Sequence, residues 1–322
     1  MAGAIYSYLA DRNEVQNGPL DNPCTVTSNV DWSATSPLES MLTTPVSDRA
    51  VSLSKGDVNY ATGAPVSPVT ITLKWQHPIV LTVASLLDTN LRQDAFYRME
   101  AFIDPQMRPE DLVATSVVDG VDANVVPPLT DPATMRAGAP NQMRGDLDPR
   151  DTPLLPINIH VTAPQVPVVA IRWTLWGGAF RSDGSEDTGY RIGLAWAGDG
   201  LVFARHVGKS GEGVKDNDEV ITGAGGSAWV EEGITKRTVT IGREVTDRTL
   251  RDELFKMALR AGKRRPLLYL PSIGDPANPA STGDPAANFL YGGLYRRTGD
   301  HSQTYISPRY TSTSVELEEC KE

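Results

Sequence analysis

An alternating stretch that enters a capped helix and is then stopped by Gly and Pro can fold in few ways, and residues 236–266 contain one. Arg237 to Gly242 (RTVTIG) alternates Val239 and Ile241 with polar neighbours, the period of two expected of a strand with one buried face. Thr246 or Asp247 supplies an N-cap oxygen, and Asp252 and Glu253 place negative charge near the positive end of the helix dipole. Leu250, Leu254, Met257, Ala258 and Ala261 recur at helical spacing, so one apolar stripe faces a sheet. Gly262 suits the left-handed position after a helix, Arg260, Lys263 and Arg264 suit the negative end of the dipole, and Pro266 forbids continuation. Leu267 to Leu270 read as a buried strand and Pro271 to Asn288 as a loop rich in Pro, Gly, Asp and Asn. Phe289 to Arg296 and Arg309 to Glu318 read as two more strands. Residues 236–322 are therefore expected to form a small α+β domain, strand–helix–strand–strand–strand, with one helix packed on a β-sheet.

The preceding residues are mainly β in pattern. Turn formers such as Asn17-Gly18-Pro19 and Asp21-Asn22-Pro23 punctuate residues 5–68, which favours short strands. Val69 to Trp75 (VTITLKW) alternates strictly, and Ile79 to Ala84 and Phe96 to Ile103 follow it as further strands, pairing most simply as an antiparallel meander. Nine prolines interrupt Asp104 to Pro156, so this segment reads as an excursion that packs against something else, such as a neighbouring subunit. Ile157 to Thr162 and Val168 to Gly177 resume the pattern, and Tyr190 to Phe203 reads as two strands joined at Gly198-Asp199-Gly200. Residues 1–210 thus form an antiparallel β-sandwich with a Pro-rich insertion at 104–156. Residues 211–235, rich in Gly and acidic residues, read as a linker or surface loop.

Composition narrows the chemistry. The chain has 322 residues, with 40 acidic and 30 basic side chains giving a formal charge of −10, which argues against a nucleic-acid-binding surface. Its two cysteines, Cys24 and Cys320, make neither a disulfide framework nor a metal knuckle, and folding in a reducing cytoplasm is the simplest expectation. Residues 1–12 lack the pattern of a signal peptide, and the apolar run Pro164 to Phe180 is broken by Arg172 and Gly177-Gly178, so no membrane insertion is expected.

Catalytic and metal patterns fail in turn. Gly208-Lys209-Ser210 has Phe203 where a phosphate-binding loop requires Gly, and Gly225-Gly226-Ser227 is not followed by the glycine of a nucleophile elbow. His77, His160, His206 and His301 sit in separate segments without helical metal spacing, and the acidic clusters at 146–151, 183–187 and 216–219 do not match a calcium loop. No catalytic residue, cofactor or metal ligand is assigned. Trp75, Trp173, Trp176 and Trp196 offer rings for sugar stacking, but they are expected to serve the core or a subunit contact. Trp173 and Trp176 would lie on opposite faces of one regular strand, with at most one of them facing the core.

Taken together, these segments resemble tail-tip, or baseplate, proteins of long-tailed bacteriophages, related in role to distal tail proteins. The resemblance lies in the order of Arg237 to Gly242, the helix Thr249 to Ala261, Arg265 to Pro271 (RPLLYLP), Tyr291 to Leu294 and Ser314 to Glu319. In the first half it lies in Val69 to Lys74, Ile79 to Ala84, Phe96 to Ile103, Ala170 to Leu175 and Tyr190 to Leu194, which resemble a discoidin-like, jelly-roll sandwich. The resemblance implies a non-enzymatic virion protein, made in the host cytoplasm, that forms a three- or six-fold homo-oligomeric ring at the end of the tail tube and contacts tube, hub and fibre proteins. Asp275, Pro276, Asn278, Pro279, Asp284, Pro285, Arg264 and Arg265 are the candidate partner contacts. The alternative reading is a carbohydrate-binding adhesin gripping host glycans, and a third is a glycan-degrading enzyme with paired carboxylates.

Overall fold

The computed structural model describes residues 6–16, 21–59, 62, 64–92, 95–117, 121–124, 157–179, 186–204, 210–215, 219–222, 228–231, 236–246, 248–275, 283–299, 302–305 and 311–320. It divides into two compact units, one made of residues 12–199 and 276–290 and the other of residues 1–11, 200–275 and 291–322. Strand β1 (Tyr6–Ala10) belongs to the second of these, the sheet–helix unit, rather than to the sandwich in which the sequence pattern places it.

The sandwich unit contains β2 (Thr25–Ser28), β3 (Ala50–Val51), β4 (Asp57–Val58), β5 (Pro65–Ser67), β6 (Val69–Thr89) and β7 (Phe96–Phe102), then β8 (Leu112–Thr115), β9 (Ala123–Asn124), β10 (Ile157–Trp176) and β11 (Arg191–Gly198). Its main sheet runs β3–β11–β6–β10–β7–β8, with β2 also on β6 and β9 also on β7, and every pairing is antiparallel. Two strands were expected on either side of His77-Pro78, and two more around residue 165. Each pair is instead one strand, β6 of 21 residues and β10 of 20. A straight ladder of that length would extend roughly 60 Å at about 3.3 Å per residue. Its ends nevertheless meet. Thr89 and Ile157 pair at one end and Val69 and Leu175 at the other, yet Leu91, just past Thr89, bridges Ala179, just past Leu175.

The ladder therefore folds back on itself, and the register shows where. It slips between Thr162 and Val166 and again between Val168 and Ala170, and Gln165 adopts a φ of 45° within the first slip. Extra residues on one strand of a pair bend it and increase its twist. Two layers result. One contains the Val69–Trp75 end of β6 with β2, β7 and β8; the other contains the Leu81–Thr89 end with β11 and β3. Ile71, Leu73 and Trp75 from the first layer share one core with Ala84, Leu86, Ile192 and Ala195 from the second. The unit is thus an antiparallel sandwich, as the sequence predicts, but a bent two-strand ladder replaces the meander. Residues 109–124 also depart from expectation, because β8 and β9 both pair with β7 and so belong to the sheet rather than to an excursion. Residues 118–120 and 125–156 of that predicted insertion lie outside the described residues.

Tyr190 closes the two layers. Its buried hydroxyl accepts from the Gly56 amide at 3.0 Å and donates to the Gly177 carbonyl at 3.0 Å, while its own amide donates to Ser52 Oγ at 2.7 Å. Gly189 lets the chain approach this closely, since a Cβ there would sit 1.9 Å from the Ser52 carbonyl oxygen.

The sheet–helix unit adds β12 (Leu201–Ala204), β13 (Gly211–Lys215), β14 (Glu219–Thr222), β15 (Ala228–Glu231), β16 (Lys236–Thr246), α1 (Arg248–Ala261) and β17 (Leu267–Ile273). After α2 (Pro285–Tyr291) come β18 (Gly293–Arg297), β19 (Ser302–Tyr305) and β20 (Thr311–Glu319). The strand order is β12–β1–β17–β18–β20–β16–β13, with β19 also on β20, while β14 and β15 form a separate ribbon. Gly198-Asp199-Gly200 does not close a hairpin: β11 pairs within the sandwich and β12 pairs with β1, so these residues carry the chain from one unit to the other. The expected linker at 211–235 begins with β13, which pairs with β16 over its whole length.

Helix α1 buries Leu254, Met257 and Ala261 against Val239, Ile241, Leu267, Tyr269, Tyr295 and Leu317, the stripe that the spacing predicts. Gly262 has φ 57° and donates to the Ala258 carbonyl at 3.0 Å, as a left-handed helix end requires. Because the helix starts at Arg248, Asp252 and Glu253 fall beyond its first turn and pair with Arg251 and Lys256 instead of lying at the positive end of the dipole. The strand predicted from Phe289 begins only at Gly293. Asp284 Oδ1 accepts from the amides of Ala286 and Ala287 at 2.9 and 3.1 Å, which with Pro285 starts a helix there, and Phe289 is buried in the sandwich core.

Replacing Tyr190 with Phe leaves the Gly56 amide and the Gly177 carbonyl without this partner in a dry interior. The expected loss is about 1–3 kcal/mol, read as a lowered urea midpoint with an unchanged slope.

Candidate interaction surface

The predicted contact residues do not form one patch within either unit. Arg264 and Arg265 are exposed in the turn after α1, and Asp275 is half-buried just past β17, all in the sheet–helix unit. Asp284 and Pro285 belong to the sandwich unit, and the Asp284 carboxylate is occupied by the α2 cap. Pro276, Asn278 and Pro279 lie outside the described residues.

The four tryptophans weighed for sugar stacking are core residues, as expected: Trp75, Trp173, Trp176 and Trp196 are all buried. Trp173 and Trp176 lie on opposite faces of β10, as the alternation predicts, and both are buried. Trp173 lies in the sandwich core, while Trp176 is stacked on Phe96 at 5.9 Å and approached by the chain at Gly56. Ser85 Oγ and His160 Nδ1 lie 2.8 Å apart across β6 and β10, the contact of a nucleophile and its base, but Ser85 has no exposed surface for a substrate to reach. Among the described residues no group of three His, Cys, Asp or Glu side chains gathers as a metal site would require, and no helix is long and apolar enough to cross a membrane. Cys24 and Cys320 form no disulfide, and burial pushes the Cys24 thiol up to about 12.

Charge is concentrated where β13, β16 and β20 meet. Arg237 is buried with Glu319: its Nε donates to Glu319 Oε1 at 2.8 Å, its Nη2 to the same oxygen at 2.5 Å and its backbone amide to Oε2 at 3.0 Å. The guanidinium also sits 5.9 Å from the centre of the Tyr295 ring. Burial pushes the Tyr295 phenol above its ordinary range, although the Arg237 charge opposes the shift. On the other face Glu318 accepts from Lys215 and Lys236, both at 3.0 Å, so its carboxylate ties β13 and β16 to β20. These two ammonium groups hold its pKa below the usual carboxylate value.

Around this charged frame the unit presents apolar side chains to solvent. Phe255 and Leu259, one turn apart on α1 and off its buried stripe, are 50% and 70% exposed, and Val214 on β13 is 69% exposed. The sheet ends at β12 and β13, with no strand beyond either among the described residues. None of these residues was singled out from the sequence. The spacing of Phe255 and Leu259 was a usable signal, since two large apolar residues at i and i+4 outside the stripe mark a second apolar face.

Comparison with known proteins adds little. No protein-family model matches the chain, and no curated protein matches it. Among solved structures it is similar to a truncated AlyQ with CBM32 and alginate lyase domains, at 9% identity and a TM-score of 0.28, covering 83% of this chain. The match spans 54% of that protein's length, and a likeness this distant carries no functional argument.

Two outcomes test the charged frame. Glu319→Ala leaves the Arg237 guanidinium buried without its carboxylate and is expected to cost about 3–5 kcal/mol in chemical denaturation. Glu318 has a lowered folded pKa, so its stabilising contribution is present above the ordinary carboxylate pKa and lost as the pH falls through the folded value. Glu318→Gln is therefore less stable than the parent at pH 7, and the gap closes on acidification below about pH 4.

Proposed function

We propose that this chain is a structural subunit of a phage tail tip, assembling with further copies into a ring and with the tube, hub and fibre proteins of the tail. Its place is then the virion. The observation that carries the reading is the surface of the sheet–helix unit, where Phe255, Leu259 and Val214 are exposed. Fully burying an aliphatic or aromatic side chain is worth about 1.5–3 kcal/mol, so an assembly that covers these three gains several kcal/mol per copy. Ile103 and Leu112, exposed neighbours at the end of the β7–β8 pair, give the sandwich unit a smaller surface of the same kind. The resemblance in the order of Arg237 to Gly242, α1 and Arg265 to Pro271 points the same way.

The adhesin reading draws on the same sandwich, but Trp75, Trp173, Trp176 and Trp196 are buried and exposed aromatic side chains are limited, among the described large apolar residues, to Phe255 and Tyr291. A glycan array separates the two readings: no binding is expected of a tail subunit, and selective binding lost on Tyr291→Ala favours the adhesin. Electron microscopy of the purified particle is expected to place the chain in a ring at the tail end, and its absence from particles overturns the proposal. The double variant Phe255→Ser, Leu259→Ser removes exposed groups, so its unfolding free energy stays within about 0.5 kcal/mol of the parent. Its self-association, measured by sedimentation, is expected to weaken.

A further inference from the structure

Helix α1 reverses the charge of the chain it belongs to. Residues 248–265 hold seven basic and two acidic side chains, a net +5 in a chain of −10. One of these cations is committed within the fold, since Arg260 Nε and Nη2 donate to the Asp11 carboxylate at 2.6 and 3.0 Å. Those of the last turn suit the negative end of the helix dipole. The dipole does not account for the exposed Lys256, and it opposes the exposed Arg248 at the other end. At 3.6 residues per turn Arg248, Phe255, Lys256 and Leu259 fall within one arc of about 100°, opposite the stripe of Leu254, Met257 and Ala261. Lys256 meets Glu253 at 2.7 Å, but an exposed pair of this kind contributes little and leaves the ammonium open to a second carboxylate.

The complement of this face is the ribbon of β14 and β15. Its strands pair with each other and with neither main sheet. A two-stranded ribbon is marginal on its own in water, so it gains stability from whatever covers it. The register sets Glu219 opposite Glu231 and Ile221 opposite Trp229, and these four positions, two apart along each strand, share one face. Like charges directly opposite each other destabilise a strand pair. Neither strand contains a basic residue to relieve them.

The two faces match in order and in scale. On the ribbon the carboxylate pair and the apolar pair are two residues apart, about 7 Å. On α1 Lys256 and Leu259 are neighbours across one turn, with about 5–6 Å between their Cβ atoms. We infer that the ribbon of one copy docks on the exposed face of α1 in the next, setting Ile221 and Trp229 against Phe255 and Leu259, and Glu219 and Glu231 toward Lys256 and Lys263. The contact rests on the ring reading above. Its two surfaces differ, so it is heterologous and repeats from copy to copy. A partner offering only phosphates would satisfy the cations and leave Phe255 and Leu259 uncovered, whereas an acidic ribbon with an apolar pair answers both.

A charge exchange in the full chain tests this contact. One variant, Lys256→Glu with Lys263→Glu, makes the α1 face acidic, and the other, Glu219→Lys with Glu231→Lys, makes the ribbon basic. Each alone is expected to keep the parent's circular dichroism and to self-associate at least about tenfold more weakly, because like charges now meet across the joint. Mixed in equal amounts, the two are expected to recover the parent's association in sedimentation, since each supplies the face that the other lacks. A contact made within one chain would gain nothing from mixing. Lack of recovery therefore overturns the inference, as does a parent chain that stays monomeric at every concentration. Binding of the parent to vesicles of anionic lipid, with no recovery on mixing, replaces the ribbon with a membrane surface. Particles whose ring survives in both variants overturn this contact and leave the tail-tip reading standing. Recovery on mixing by a chain that is absent from particles upholds the contact and removes that reading.

Discussion

The sandwich depends on the β6–β10 ladder, in which nearly every strand residue has its backbone partner on the neighbouring strand and which still turns back on itself. A flat ladder would leave its apolar residues on one open face, so the gain from burial requires a second layer. Here the second layer is the other half of the same two strands. The register slips around Gln165 and opposite Gln76 to Pro78 permit the turn, because each leaves a few backbone groups out of the ladder where the sheet bends. Asp199 helps to satisfy that region: Thr82 Oγ1 donates to its Oδ1 at 2.7 Å, and Gln165 Nε2 to its Oδ2 at 3.3 Å. Tyr190 then fastens the far ends, so the bend and the closure are held by polar contacts while Ile71, Leu86 and Trp173 fill the space between.

The sheet–helix unit is built from distant parts of the chain. Leu9 of β1 lies opposite Leu201 of β12, so residues 12–199, the larger part of the sandwich, are inserted between two residues held at the spacing of one antiparallel pair, about 5 Å. Closing so long a loop is entropically costly if the intervening chain is unfolded. The cost falls if the sandwich folds first, which favours an order in which β1 joins β12 and β17 late. The contacts of β1 are nonlocal, including Ser7 Oγ donating to the Pro271 carbonyl at 2.8 Å, and nonlocal pairing of this kind slows folding.

Local signals in the sequence were read correctly where a single element decides its own structure. The stripe of Leu254, Met257 and Ala261, the left-handed Gly262 and the alternation of Val69 to Trp75 are properties of short windows. Continuity across His77-Pro78 was hidden because proline normally interrupts a ladder, and here it falls in the slipped register at the bend. The Asp284-Pro285 start of α2 is a legible cap and first-position proline, masked by a surrounding composition rich in Pro, Gly, Asp and Asn. Membership of β1 in the second unit was not legible, since YSYLA fits either sheet and only its partners at residues 201–204 and 268–273 decide. The candidate surface was missed for a related reason: exposure of Phe255, Leu259 and Val214 follows from which face the helix and strand bury, which the pattern alone ranks but does not fix.

Two glutamates of β20 hold β13, β16 and β20 in register, one of them in a buried ion pair. Hydrophobic residues in place of Arg237 and Glu319 would fill the same volume without the desolvation cost of two charges. Only the charged pair, however, ties one strand's backbone to another's side chain, because Glu319 accepts from the Arg237 amide as well as from its guanidinium. That fixes the register of β20 on β16, and Glu318 extends the constraint to β13 through Lys215. A one-residue slip anywhere in this chain of contacts would carry the slipped strand's side chains to the opposite face and take Val239, Ile241 or Leu317 out of the core. The charges therefore select one register among those that the alternating pattern alone would allow, and the packing of α1 on the sheet depends on that choice.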